Sequence, residues 1–133
     1  MAPWTVAPLD KLLSGLRVLV VEDEHLILMM IEGWLSDLGC SAVTSAPSVD
    51  KALGLLAGQQ FDVAMLDMNL GGSDSGVVAE ALERHGVPFL YCTGNRASKE
   101  AKGELAHPVL KKPFSVEELA AALSRLIKAD YSE

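Results

Sequence analysis

The chain is short of cysteine and of positive charge and has no long hydrophobic run; each shortage removes a class of function. Only two of its 133 residues are cysteines, Cys40 and Cys92. They lie far apart and form no CxxC pair, which argues against a disulfide framework or a zinc cluster and suits a reducing compartment. Both read as small core residues. Lys and Arg number 11 against 18 Asp and Glu, a formal net charge of -7. A nucleic-acid backbone repels such a surface, so direct binding to DNA or RNA is not expected. The longest apolar run, Leu26 to Ile31, falls far short of the ~20 residues that span a bilayer. The first ten residues lack a basic n-region and include Asp10, so they are no secretory signal. The Gly71-Gly72 pair lacks the Lys-Ser/Thr of a phosphate-binding P-loop. No internal repeat or low-complexity tract is present. What remains is a cytoplasmic, single-domain protein without a membrane segment. Half of its residues are hydrophobic, enough for a core of its own.

Residues 1–16 read as an N-terminal arm or short helix, with Leu9, Leu12, Leu13 and Leu16 at helical spacing. Residues 17–130 form the domain. Val18–Val21 is an apolar, β-branched strand of the kind buried on both faces. Ile27, Met30, Ile31, Trp34, Leu35 and Leu38 then make a helical stripe that Gly39 can stop. A second strand runs from Ser41 to Ala46. Ser48 caps a helix with Val49, Ala52, Leu53 and Leu56 inward, closed by Gly58. Val63–Leu66 is the third strand, ending at Asp67; after the glycine-rich loop 71–76, Val77–His85 is the third helix. Val87–Cys92 is the fourth strand. Asn95–His107 is only weakly helical and is expected to be the mobile part of the domain. Val109–Lys111 is the fifth strand. Ser115 and Glu118 then form a capping box that opens a last helix with Val116, Leu119, Ala120, Leu123 and Ile127 inward. Strands alternating with helices predict an α/β fold, a five-stranded parallel sheet with helices on both faces. Ligands in such sheets bind beyond the C-terminal strand ends, at the topological switch point.

The residues at those ends are polar. The first strand ends in Glu22-Asp23 and the third in Asp67, so adjacent first and third strands would bring three carboxylates together. Such a cluster repels itself and raises a carboxyl pKa. A hard divalent cation relieves it, and Mg²⁺ needs only a few protein oxygens because it keeps several waters. The fourth strand ends in Thr93 and the fifth in Lys111-Lys112-Pro113. A cation, a hydroxyl and a metal around one carboxylate make an anion site, and the fitting anion is a phosphoryl group accepted by Asp67. Side chains alternate along a strand, so Lys111 is expected to face solvent and Lys112 the site.

These residues resemble a known family, the bacterial response-regulator receiver domains. The likeness spans about Arg17 to Lys128 and rests on Glu22-Asp23, Asp67-Met68-Asn69, Thr93-Gly94 and Lys112-Pro113-Phe114, in order, each at a strand end. It implies a flavodoxin-like receiver fold and a signalling protein that is not an enzyme. It implies that Asp67 is phosphorylated by a sensor histidine kinase or a histidine phosphotransfer protein. Asp23 would hold Mg²⁺ directly and Glu22 through water, with Asp67 and the backbone carbonyl of Asn69 completing the protein's share. Thr93 would turn toward the phosphoryl oxygens, Lys112 would pair with them, and Gly94 would keep the group accessible. With the receiver ending near Lys128, the output is expected to be a downstream effector protein.

Two departures stand out. Val109 occupies the position of the family's usual strand-five aromatic switch. The loop after Asp67 is Leu70-Gly-Gly-Ser-Asp-Ser-Gly76 instead of the usual proline-containing one. With Phe89–Gly94 on the fourth strand, the chain resembles the FATGUY-type subgroup, in which Tyr91 or the following segment can take over switching. Two rival readings are a receiver-like binding module that takes no phosphate and a phosphatase of the haloacid-dehalogenase type. The latter wants a second acid two residues after the nucleophile, where this chain has Asn69. His25, His85 and His107 read as surface histidines, and Met29, Met30 and Trp34 as core packing.

Overall fold

Five short apolar runs become the strands of one sheet: β1 (Arg17–Val21), β2 (Ala42–Ala46), β3 (Val63–Asp67), β4 (Phe89–Thr93) and β5 (Val109–Lys111). The computed structural model describes residues 13–70, 75–94 and 107–131, with side chains through Lys128. All neighbouring strands are parallel, in the order β2-β1-β3-β4-β5. The chain leaves β1 toward one edge for β2 and crosses back to β3, so the switch point lies between β1 and β3. Four helices belong to the described residues: α1 (His25–Asp37), α2 (Val49–Gly58), α3 (Ser75–Arg84) and α4 (Val116–Tyr131). This is the expected flavodoxin-like receiver fold. The weakly helical segment expected at 95–107 lies, His107 apart, outside the described residues, as do loop positions 71–74 and arm residues 1–12.

The strands are buried on both faces because successive side chains point to opposite sides. Val18, Val20, Val63, Met65, Leu90 and Cys92 form one core with α1 and α4. Leu19, Val21, Ala64, Leu66, Phe89 and Tyr91 form the other with α2 and α3. Leu13 and Leu16, from the expected arm, are buried in the first of these cores. The segment from Leu13 onward therefore docks on this chain.

The starts of α2 and α4 follow their cap residues, while α1 begins after Glu24 without a side-chain cap. Ser48 Oγ accepts the Lys51 N–H at 3.2 Å at the start of α2. Before α4 the box closes in both directions: Glu118 N–H donates to Ser115 Oγ at 3.1 Å, and Ser115 N–H to Glu118 Oε1 at 2.8 Å. Beyond α1, Gly39 takes a φ of 97°, a conformation that glycine adopts without strain.

Helix α1 departs from its expected packing. Its buried residues are Leu28, Ile31 and Leu35, while Met29 and Met30 are 53% and 39% exposed and Leu26 is 79% exposed. The methionines are thus not core residues. The run Leu26–Ile31 is apolar all round, so its periodicity does not select one face, and the core on its side of the sheet decides which side is covered.

Candidate functional site

Parallel strands of matched register bring their C-terminal ends to one edge. Val21 pairs with Leu66, Asp67 with Cys92, and Thr93 with Lys111. Glu22 and Asp23 leave β1 beside Asp67 at the end of β3. One carboxylate oxygen from each of Glu22, Asp23 and Asp67 lies within 4.8 Å of the others. Glu22 and Asp67 are buried, at 1% and 3% exposure, while Asp23 is exposed. The crevice is thus closed below and open above.

Lys112 enters from the turn after β5. Its Nζ donates to Glu22 Oε1 at 2.8 Å and stands 3.5 Å from Asp67 Oδ1. Its backbone N–H donates to the Thr93 carbonyl at 2.7 Å, so the ends of β4 and β5 are tied where the two candidate side chains leave the sheet. Thr93 is buried. Lys111 is exposed, as the alternation requires. A Cβ on Gly94 would stand 4.0 Å from Lys112 Cδ, which places this glycine beside the lysine stem. Asn69 is exposed, and its backbone N–H donates to Asp67 Oδ1 at 3.2 Å.

The electrostatics follow from this packing. Burial pushes the Asp67 carboxyl up to about 6. The Asn69 N–H pulls it down, the charge of Glu22 raises it further, and Lys112 lowers it. For Lys112, burial works against the charge, but the bond to Glu22 and the nearby Asp67 and Glu22 carboxylates outweigh it and raise its pKa. Three carboxylates face one lysine, a surplus of two negative charges with only oxygen donors. That donor set fits a hard divalent cation such as Mg²⁺ and does not fit a soft one. Cys92, next to the site, is held by burial as a neutral thiol with a pKa of about 12.

All six expected site residues, Glu22, Asp23, Asp67, Asn69, Thr93 and Lys112, come from strand ends on this edge. Two further features were not legible in the sequence. Phe114 is buried and meets Trp34 of α1 edge to face, 6.1 Å between centroids. This anchors the turn that carries Lys112; the Lys-Pro-Phe tripeptide signalled the turn but not its ring partner. His107 is no simple surface histidine. It stacks on Phe89 at 4.0 Å, lies edge-on to Tyr91 at 6.3 Å, and pairs with Glu83 of α3 at 2.9 Å. Nothing in its local sequence announced this, because the partners come from α3 and β4.

Comparison with known proteins agrees with the geometry. Residues 18–124 match the family model described as response regulator receiver domain. The transcriptional regulatory protein TcrA of Mycobacterium tuberculosis is 34% identical over 118 residues, covering 85% of this chain and 46% of TcrA. The chain therefore spans about half the length of that relative. A probable chemotaxis protein CheY of Rhizobium etli is 25% identical over 121 residues, covering 86% of this chain and 94% of its own. Among solved structures, a response regulator receiver protein from Sinorhizobium medicae superposes with a TM-score of 0.77 at 28% identity, covering 86% of this chain and 96% of that one.

Proposed function

The chain belongs to the response regulator receiver domain family, and from that premise we propose that Asp67 accepts a phosphoryl group from a sensor histidine kinase or a histidine phosphotransfer protein. The observation that carries the reading is the convergence of Asp67 with Glu22, Asp23 and Lys112, the lysine Nζ 3.5 Å from Asp67 Oδ1. An isolated strand-ending aspartate lacks such a surround.

In this reading the Asp67 carboxylate attacks the phosphorus of a phosphohistidine. The new O–P bond forms as the P–N bond breaks, the electron pair stays on the ring nitrogen, and the imidazole leaves neutral by taking a proton from solvent. Lys112 pairs with the charge on the transferring oxygens, and Thr93 turns its hydroxyl toward them. Asp23 and Asp67 would hold Mg²⁺ directly, Glu22 would reach it through water and the Asn69 carbonyl would complete the protein's share; the ion would offset negative charge on the phosphoryl oxygens. The protein does not turn over a substrate of its own; its product is its own modified state. Phosphorylation adds charge beside Thr93 and Lys112 and shifts the population of the surface around β5 and α4, which a downstream effector protein reads. Leu26, Met29 and Met30, exposed on α1 within seven residues of Asp23, offer a protein phosphodonor an apolar seat next to the site. Net acidity argues against a nucleic-acid partner. Among the described residues no helix is long and apolar enough to cross a membrane, and the scarcity of cysteine supports a cytoplasmic setting.

Beryllofluoride, a stable mimic of a phosphoryl group on a carboxylate, tests this reading. With Mg²⁺ it is expected to bind one per chain by calorimetry and to fail on Asp67→Asn. Equal binding by that variant would refute the assignment.

A further inference from the structure

Glu22 stands among the cation-holding acids, yet its contacts serve another task. The residue is 1% exposed, and both of its carboxylate oxygens accept hydrogen bonds. Oε2 takes the Glu24 N–H at 3.1 Å and Oε1 takes Lys112 Nζ at 2.8 Å. The first bond fixes the carboxylate on its own turn; the second reaches across the sheet edge to β5. The same Nζ lies 3.5 Å from Asp67 Oδ1, so the lysine is held more closely by Glu22 than by the residue it serves. A lysine is a flexible stem with a compact charge. Here its base is fixed by the backbone bond to Thr93 at 2.7 Å and its tip by Glu22. Turning Glu22 to a cation would leave a half-buried ammonium short of its main partner, which is a costly state.

We propose that Glu22 is a positioning residue that holds Lys112 Nζ beside Asp67, while the cation depends mainly on Asp23 and Asp67. The inference rests on Asp67 as phosphoacceptor, but its first readout needs neither phosphate nor metal. Slow proton exchange makes an ion-paired lysine ammonium visible in ¹H–¹⁵N spectra. The metal-free protein is expected to show one such signal, assigned by its loss in Lys112→Arg. It should weaken in Glu22→Gln, which keeps the shape, and vanish in Glu22→Met, while Asp23→Asn retains it. Persistence in both Glu22 variants overturns the proposal.

The second readout separates metal binding from transfer. Calorimetric Mg²⁺ affinity is expected to fall only a few-fold in Glu22→Gln, as for a contact made through water, and about tenfold or more in Asp23→Asn. At saturating Mg²⁺, uptake of phosphoryl from acetyl phosphate should slow about 10- to 100-fold in Glu22→Gln, as for a misplaced reacting group. A Glu22→Gln protein that loses Mg²⁺ as Asp23→Asn does, and recovers its rate when the ion saturates, also overturns it. If wild type itself takes no phosphoryl, the phosphoacceptor reading fails, and the ammonium and Mg²⁺ measurements still decide the role of Glu22.

Discussion

At Asp67 burial opposes ionisation, and the direction of that conflict sets a measurable pH dependence. The folded-state pKa of about 6 lies above the ordinary 3.8. The folded protein therefore holds this proton more tightly than the unfolded chain, and the metal-free protein loses stability as pH rises from about 4 to 6 through this group. Above that window the deficit is constant. At about 1.4 kcal/mol per pH unit, the gap from 3.8 to about 6 makes Asp67→Asn more stable than wild type by up to about 3 kcal/mol. Urea unfolding at pH 7.5 without metal checks this; a less stable variant would contradict it. Mg²⁺ binding competes with the same proton, so its affinity is expected to drop as pH falls below about 6. Cys92, a buried neutral thiol, is expected to resist thiol reagents until the protein unfolds.

Helix α1 shows at the scale of an element how far sequence reasoning reaches. If Leu28, Ile31 and Leu35 are the covered face, Leu28→Ala costs about 2–4 kcal/mol by cavity formation. Leu26→Ala, at 79% exposure, then changes stability by less than about 0.5 kcal/mol. Thermal unfolding of the pair checks the assignment, and comparable losses would reverse it. The capping box before α4 was legible because Ser115 and Glu118 act through bonds to their own helix. The phase of α1 was not, because an all-apolar run takes its inward side from the core it meets. The gathering of the six candidate residues at one edge was legible because strand ends are marked by the change from apolar to polar, and a parallel sheet brings those ends together. The clasp of Glu22 on Lys112 was not, since the two are 90 residues apart in sequence and only the register of β1, β3, β4 and β5 brings them together. The ring stack of His107 on Phe89 escaped for the same reason.

For the molecule as a whole, an acidic surface and the exposed apolar residues of α1 suit the proposed exchange with a protein phosphodonor. Leu26→Glu is accordingly expected to slow transfer from a phosphohistidine-bearing protein more than uptake from acetyl phosphate, measured side by side; equal effects would remove α1 from the docking surface. Neutralisation of the acidic crevice is the thread that links fold to function. The β2-β1-β3-β4-β5 order gathers acids that repel one another; a divalent cation would relieve them, and a phosphoryl group on Asp67 would add charge for the cation and Lys112 to meet. Intact-mass measurement after incubation with acetyl phosphate and Mg²⁺ tests this most directly. The account predicts a single phosphoryl adduct on the wild type that chelation of the metal prevents and Asp67→Ala abolishes. A wild type that stays unmodified, or an Asp67→Ala protein modified to the same extent, would contradict it and leave the chain a binding module built on the receiver fold.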